Sequence, residues 1–143
     1  MSVEENLQTF RKLDFEGFNK KNWDIFDKIH AESVVVTWPG QPEPTRGRTA
    51  HHKEIVEMFK AFPDMRVEEH LVAFGQGDWT CGVSIFSGTH KGPMIDPGGK
   101  TIPATNKKFK VELVTVAHWK NGEIVEEKLF YDMVGMMRQL GLM

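Results

Sequence analysis

The chain has a single cysteine, Cys81, so no internal disulfide can form, and a reducing compartment is expected. No apolar run is long enough to cross a bilayer as a helix. The first ten residues, MSVEENLQTF, put acids where a secretory leader has bases followed by an apolar stretch, so the expected location is cytoplasmic. There is no basic stripe. Lys and Arg number 18 against 20 acids, for a net charge of -2. The densest basic cluster, Lys107, Lys108 and Lys110, opens a strand-like run and reads as a solvated strand end. Binding to a phosphate backbone needs many clustered cations, so no nucleic-acid partner is expected. HExxH, paired cysteines, GxGxxG and the P-loop are all missing, so neither a metal nor another cofactor is expected. His51 and His52 are adjacent. On a helix, neighbouring side chains diverge by about 100° and cannot chelate together.

What remains is an ordinary globular composition, 143 residues with 40% hydrophobic and 27% charged, which fits one domain over 1–143. No internal repeat or low-complexity tract interrupts it. Residues 5–20 read as a helix, with Leu7, Phe10 and Phe18 on one face and Asp14 among them. Residues 23–30 read as a second, short helix. SVVVTW, 33–38, is a strand that ends at Pro39-Gly40. Thr49 is the expected N-cap of a helix over about 50–62, whose stripe is Ile55, Met58, Phe59 and Phe62. Strands follow at 66–74 and 79–90, then a loop over 91–106. Residues 107–119 and 123–132 pair across Asn121-Gly122, a strong hairpin signal. A short helix over about 133–140 closes the chain. Helices grouped against long antiparallel strands define an α+β fold. Such strands coil strongly, so a cone with an interior cavity is expected.

The last hairpin is the most informative segment. Regular alternation puts Ile124, Glu126, Lys128, Phe130 and Asp132 on one face, and Val114, Val116 and His118 on one face of the partner. A bulge would shift either register. If both faces point inward, His118 and Asp132 share the cavity with Trp38. Burial would then raise the Asp132 pKa toward the range of a general base, with His118 relaying the proton or polarising a carbonyl. The alternative reading makes His118 a satisfied strand histidine and Asp132 the cap of the last helix.

The segments GEIVEEKLFYDMVGMMRQLGL (122–142), AFPDMRVE (61–68), GTHKGPM (88–94) and IPATNKKFKVELVTVAHW (102–119) resemble, in type and order, the SnoaL-like polyketide cyclase family. FEGFNKKNWDIFDKI and VVVTWPG fit its opening helices and first strand. The resemblance spans nearly the whole chain and implies the nuclear-transport-factor-2-like cone. It also implies cofactor-free ring closure by aldol chemistry, with Asp132 at the family's catalytic Asp and His118 at its His, and a homodimer. Two positions depart from the pattern: Lys128 stands where an aromatic residue is frequent, and Asn106 where Gly is common. An inward Lys128 would lower the Asp132 pKa; alternatively it snorkels to the rim.

Four further residues are candidates for the pocket. Trp38 belongs to its wall or simply to the core. His51 lies in line with Ile55, Met58 and Phe62, and either reaches the pocket or bonds solvent at the helix start. Asp14 is either a second pocket carboxyl or a sign that its helix is rotated. His90, where a strand meets the long loop, lines the mouth or serves the loop. The expected function is an acid/base enzyme on a hydrophobic small molecule. The alternatives are a non-catalytic binding or dimerisation module on the same fold, and a hydroxylase of the same family.

Overall fold

The computed structural model describes residues 1–96 and 98–143. Helix α1, Val3–Lys12, begins with a capping box: Ser2 Oγ accepts from the Glu5 amide at 3.1 Å, and the Ser2 amide donates to Glu5 Oε1 at 3.0 Å. It runs into a π-helical segment, Leu13–Phe18, closed by a wider i→i+5 bond from the Asn19 amide to the Asp14 carbonyl. Asn22 caps α2, Trp23–Ile29. Strand β1 spans His30–Thr37 and the two-residue β2 spans Thr45–Arg46. Helix α3, Arg48–Ala61, starts earlier than the expected cap at Thr49. Its N-cap is Gly47, whose φ of 96° suits glycine, and the Gly47 amide is tied to the Val34 carbonyl of β1 at 2.7 Å. Four long strands follow or nearly so: β3 Arg66–Gln76, β4 Trp79–Thr89, β7 Lys108–Lys120 and β8 Glu123–Phe130. The short β5, Met94–Ile95, and β6, Thr101–Ile102, pair inside the loop between β4 and β7. Helix α4, Met133–Gln139, closes the chain.

The main sheet runs β2-β1-β8-β7-β4-β3. It is mixed rather than wholly antiparallel, because β1 lies parallel to β8 while every other pair is antiparallel. The helices cover its concave side, which gives the expected α+β cone. Phe10, Val34, Ile55, Ala117, Trp119 and Ile124 are among the side chains that fill the core, each 2% exposed or less.

Three bulges decide which residues face inward. On β8, Trp119 pairs with Ile124 and His118 with Glu126, which leaves Val125 as an extra residue. On β3, Glu68 and Leu71 are the extra residues opposite β4. Each bulge flips the alternation beyond it. The inward rows are therefore Ile124, Glu127 and Leu129 on β8, and Val67, His70 and Ala73 on β3. Opposite Ala73, the next inward residue of β3 after His70, β4 carries glycine at position 82 for want of space. A Cβ there would sit 2.4 Å from Cε2 of Phe10, whose ring stacks on His70 with centroids 4.7 Å apart. Gly82→Ala is expected to force Phe10 from its place and cost about 1–3 kcal/mol. Urea unfolding measures this, and an unchanged midpoint would show that the ring has room to yield.

Candidate functional site

The concave side of the sheet encloses an inner chamber of about 50 Å³. That is room for a few waters or the head of a ligand. Trp38, Met58, Phe86 and Tyr131 line both the chamber and an outer, mainly apolar cleft of about 800 Å³. The chamber thus shares a wall with a larger apolar space and carries titratable side chains of its own.

Two groups of titratable side chains are built around Asp14, His30, His51 and Glu127, which line the chamber. The first comes from the π-helical segment and β3. Asp14 Oδ2 accepts from His70 Nε2 at 2.7 Å. The His70 ring is held between Phe10 and Phe15, with centroids at 4.7 and 4.8 Å, and its Nδ1 is buried without a partner among the described residues. Desolvation raises the Asp14 pKa. The hydrogen bond and charge of His70 pull it down without cancelling the rise, and the Glu127 carboxylate adds to it. The Asp14 side chain still keeps 16% of its surface accessible, so a ligand in the chamber can reach it.

The second group spans β1, α3 and β8. Glu127 Oε2 lies 3.1 Å from His30 Nε2 and 3.8 Å from His51 Nε2. His30 Nδ1 donates to the Phe26 carbonyl at 2.7 Å. His51 Nδ1 bonds Glu54 Oε1 at 2.8 Å, and the same Glu54 carboxylate accepts from Trp38 Nε1 and Thr45 Oγ1, both at 2.7 Å. Burial alone would push the Glu127 pKa up. The hydrogen bond from His30 and the charges of His30 and His51 outweigh that and hold it below the ordinary value. Burial also raises the pKa of the Tyr131 phenol, which therefore remains a donor. One pocket thus holds two carboxyl groups whose environments drive their pKa values apart.

The residues singled out in the sequence divide between the two faces of the sheet. Asp14, Phe18, Trp38 and His51 line the chamber. His51 bonds Glu54 rather than solvent and is 2% exposed. Asp132 does not reach the chamber: it is exposed, and its Oδ1 caps α4 by accepting from the Gly135 amide at 2.8 Å. His118 lies on the convex face, stacked on Trp79 at 4.4 Å, 5° from parallel. Lys128 is on the same face, 3.3 Å from Glu126, and Phe130 is 49% exposed. The bulge at Val125 is the physical reason for these outward placements on β8. On β7, the inward row is Leu113, Thr115, Ala117 and Trp119, which leaves His118 outside. His90 serves the loop and does not line the mouth. It is fully buried against Phe62, with Nδ1 3.2 Å from Thr105 Oγ1, and its backbone joins Asn106 and Lys107.

The sequence model of the SnoaL-like polyketide cyclase family matches residues 9–140. The chain belongs to this family. Solved structures of similar fold include a candidate SnoaL-like polyketide cyclase from Jannaschia sp. CCS1, at 19% identity and TM-score 0.85, covering 96% of this chain and 92% of that one. IdmH, a candidate polyketide cyclase from Streptomyces antibioticus, is 25% identical with TM-score 0.78, covering 95% and 98%. AclR, a candidate hydroxylase from Streptomyces galilaeus, is 18% identical with TM-score 0.79, covering 99% and 88%. No curated protein matches the chain.

Within this SnoaL-like chain, sequence reasoning missed His30, His70, Glu54, Glu127 and Tyr131. The helical pattern over 23–30 runs through His30, whereas His30 opens β1. His70 and Glu127 lie just beyond bulges. The adjacency that separates His51 from His52 is real: His52 turns away to Asp27 at 2.8 Å. What it left out was a partner for His51 from a different element. Glu54 had a visible signal, since it stands three residues after His51, where side chains on a helix meet.

Proposed function

We propose that the protein is an acid–base enzyme acting on a hydrophobic carbonyl compound, with Asp14 as the group that moves the proton. The observation that carries this reading is a desolvated carboxylate, oriented by a buried imidazole, facing a chamber whose opposite wall is already charged. The apolar body of the ligand occupies the outer cleft, and its carbonyl end enters the chamber. Ionised Asp14 takes a proton from the carbon beside the carbonyl. The C–H electron pair passes into the enolate, whose oxygen is met by the Tyr131 hydroxyl. The enolate carbon then either recovers a proton, which is isomerisation, or attacks a second carbonyl of the same molecule, which closes a ring. Asp14 returns the proton in either case. Membership in the SnoaL-like polyketide cyclase family supports chemistry of the cyclase or isomerase type on a small hydrophobic molecule.

The test uses 2-tetralone in D2O and follows loss of its α-proton signals by NMR. The wild-type protein is expected to exchange them faster than buffer. Asp132→Asn is expected to exchange at the wild-type rate, because Asn caps a helix as well as Asp does. Failure of the wild type to accelerate exchange, here and with open-chain 1,3-diketones of similar size, would remove the acid–base reading.

The convex face supports a homodimer as the working unit. Leu71, Val72, Phe74 and Trp79 are 40–57% exposed there, and contiguous apolar surface of this kind marks association sites. Light scattering on the eluted protein is expected to give twice the 16.4 kDa chain mass. A monomer at micromolar concentration would exclude the dimer.

A further inference from the structure

The wall opposite Asp14 has more capacity than proton transfer uses. His30, His51 and Glu127 come from three elements, are all buried, and each offers one ligand atom within 4.8 Å of the others. Their outward-facing nitrogens are already committed. A carbonyl oxygen only accepts, so the bond to Phe26 fixes the hydrogen of His30 on Nδ1. Glu54 accepts from an indole and a hydroxyl as well as from His51, so the hydrogen of His51 is likewise on Nδ1. Both Nε2 atoms are thereby aimed at Glu127 Oε2. The His30–Glu127 contact lies at a histidine side chain only 1% exposed, and one ion held by both Nε2 lone pairs and the carboxylate would satisfy all three groups.

We propose that His30 Nε2, His51 Nε2 and Glu127 Oε2 bind one divalent first-row transition-metal ion, with its open positions toward the chamber. Two imidazoles and a carboxylate are a donor set suited to zinc, cobalt or ferrous iron, and less to magnesium or calcium. Ligands about 2.0–2.2 Å from a common ion lie roughly 3.0–3.5 Å from one another. The spacings of 3.1 and 3.8 Å are near that range, and the widest, at most 4.8 Å, must close by roughly 1.3 Å. The supporting shell is in place, since each imidazole donates its other N–H to a carbonyl or carboxylate, the arrangement that orients metal-binding histidines. The chamber has room for a water or a ligand oxygen beside the ion. The site shares no residue with the Asp14–His70 pair, although Glu127 and His30 face Asp14, and it goes beyond the acid–base reading. A bound ion would polarise the oxygen of the same ligand, but neither proposal requires the other.

Untagged, chelator-treated protein is titrated with Zn2+ by calorimetry and with Co2+ by visible absorption. One equivalent is expected to bind, with cobalt giving the ligand-field bands of a low-coordinate nitrogen and oxygen site. Glu127→Gln and His51→Asn are expected to bind Zn2+ at least about 100-fold more weakly. Glu54→Gln, a positioning change, is expected to weaken it by about 10- to 100-fold. If a ligand variant does not fold, histidine ring NMR of the wild type decides: Zn2+ is expected to move the signals of His30 and His51 and leave those of His52 and His118. No binding tighter than about 1 mM, binding that the folded variants retain, or shifts at the other histidines would overturn the proposal. Asp14→Asn separates the two readings, since it is expected to lower exchange on 2-tetralone at least about 100-fold while Zn2+ binding is kept.

Discussion

Asp14→Asn is expected to lower exchange on 2-tetralone at least about 100-fold while ligand affinity stays near the wild-type value. General-base catalysis typically contributes about 10²- to 10⁴-fold, and the substitution keeps shape and a hydrogen-bond acceptor while removing the basic oxygen. The pH profile provides the second readout. The base works only when ionised, so the rate is expected to fall as pH drops through the Asp14 pKa. Desolvation places that limb above the ordinary Asp value of 3.8. His70 faces Asp14 from β3, Glu127 from β8 and His30 from β1, and of these Glu127 supports the rise while the two histidines oppose it. Stability moves the other way. A raised folded pKa means that the native state holds the proton more tightly than the unfolded chain does. The stabilisation is complete below 3.8 and is lost as pH rises through the folded value. Asp14→Asn is expected to flatten that decline. A variant that loses activity but keeps the wild-type pH dependence of stability would show that Asp14 is not the buried ionising group.

The architecture was legible because local signals and global packing agree. Asn121 and Gly122 have φ of 54° and 79°, the conformation that a tight two-residue hairpin turn demands, and the pair announces it in sequence. Ile55 and Phe59 mark the buried stripe of α3, and that stripe carried His51 into view. The parallel pairing of β1 with β8 left no comparable mark. Both strands are β-branched or mixed in pattern, and which edge they join is set by the whole sheet.

The site was only half legible, and the cause is parity. A strand read with a period of two is right until the first bulge and inverted after it. Ile124 lies on the inward row, and regular counting from it reaches Glu126, Lys128, Phe130 and Asp132. With Val125 bulged out, the inward residues are Glu127 and Leu129 instead, and the chain leaves the strand before Asp132, which is free to cap α4. On β3, regular counting from Val67 reaches Glu69 and Leu71 and passes over His70, which the bulge at Glu68 turns inward. Val125, Glu68 and Leu71 carry no glycine or other local signature of a bulge, so the inversion follows from pairing across the sheet. Asp14 escaped it because a helix face is counted differently and the wider π-helical turn keeps it toward the core.

Glu54→Ala is expected to destabilise the fold by roughly 2–4 kcal/mol, although Glu54 lies in neither the apolar core nor the sheet. Its carboxylate is the shared acceptor for Trp38 just after β1, Thr45 on β2 and His51 on α3. Hydrogen bonds to a charged acceptor are each worth about 1.5–3 kcal/mol, and an abandoned buried donor costs about 1–3 kcal/mol. Trp38 and Thr45 are half-buried and recover part of the loss from water, which sets the lower bound. His51, with 3% of its side chain exposed, cannot do so. At this chain length the loss corresponds to roughly 6–12 °C in melting temperature. Glu54→Gln is expected to fall between the wild type and Glu54→Ala, because its one carbonyl oxygen can serve two donors while its amide faces the third. A loss below about 0.5 kcal/mol in Glu54→Ala, within the range of ordinary surface changes, would mean that the three donors are satisfied by other groups and that the orientation of His51 does not depend on Glu54.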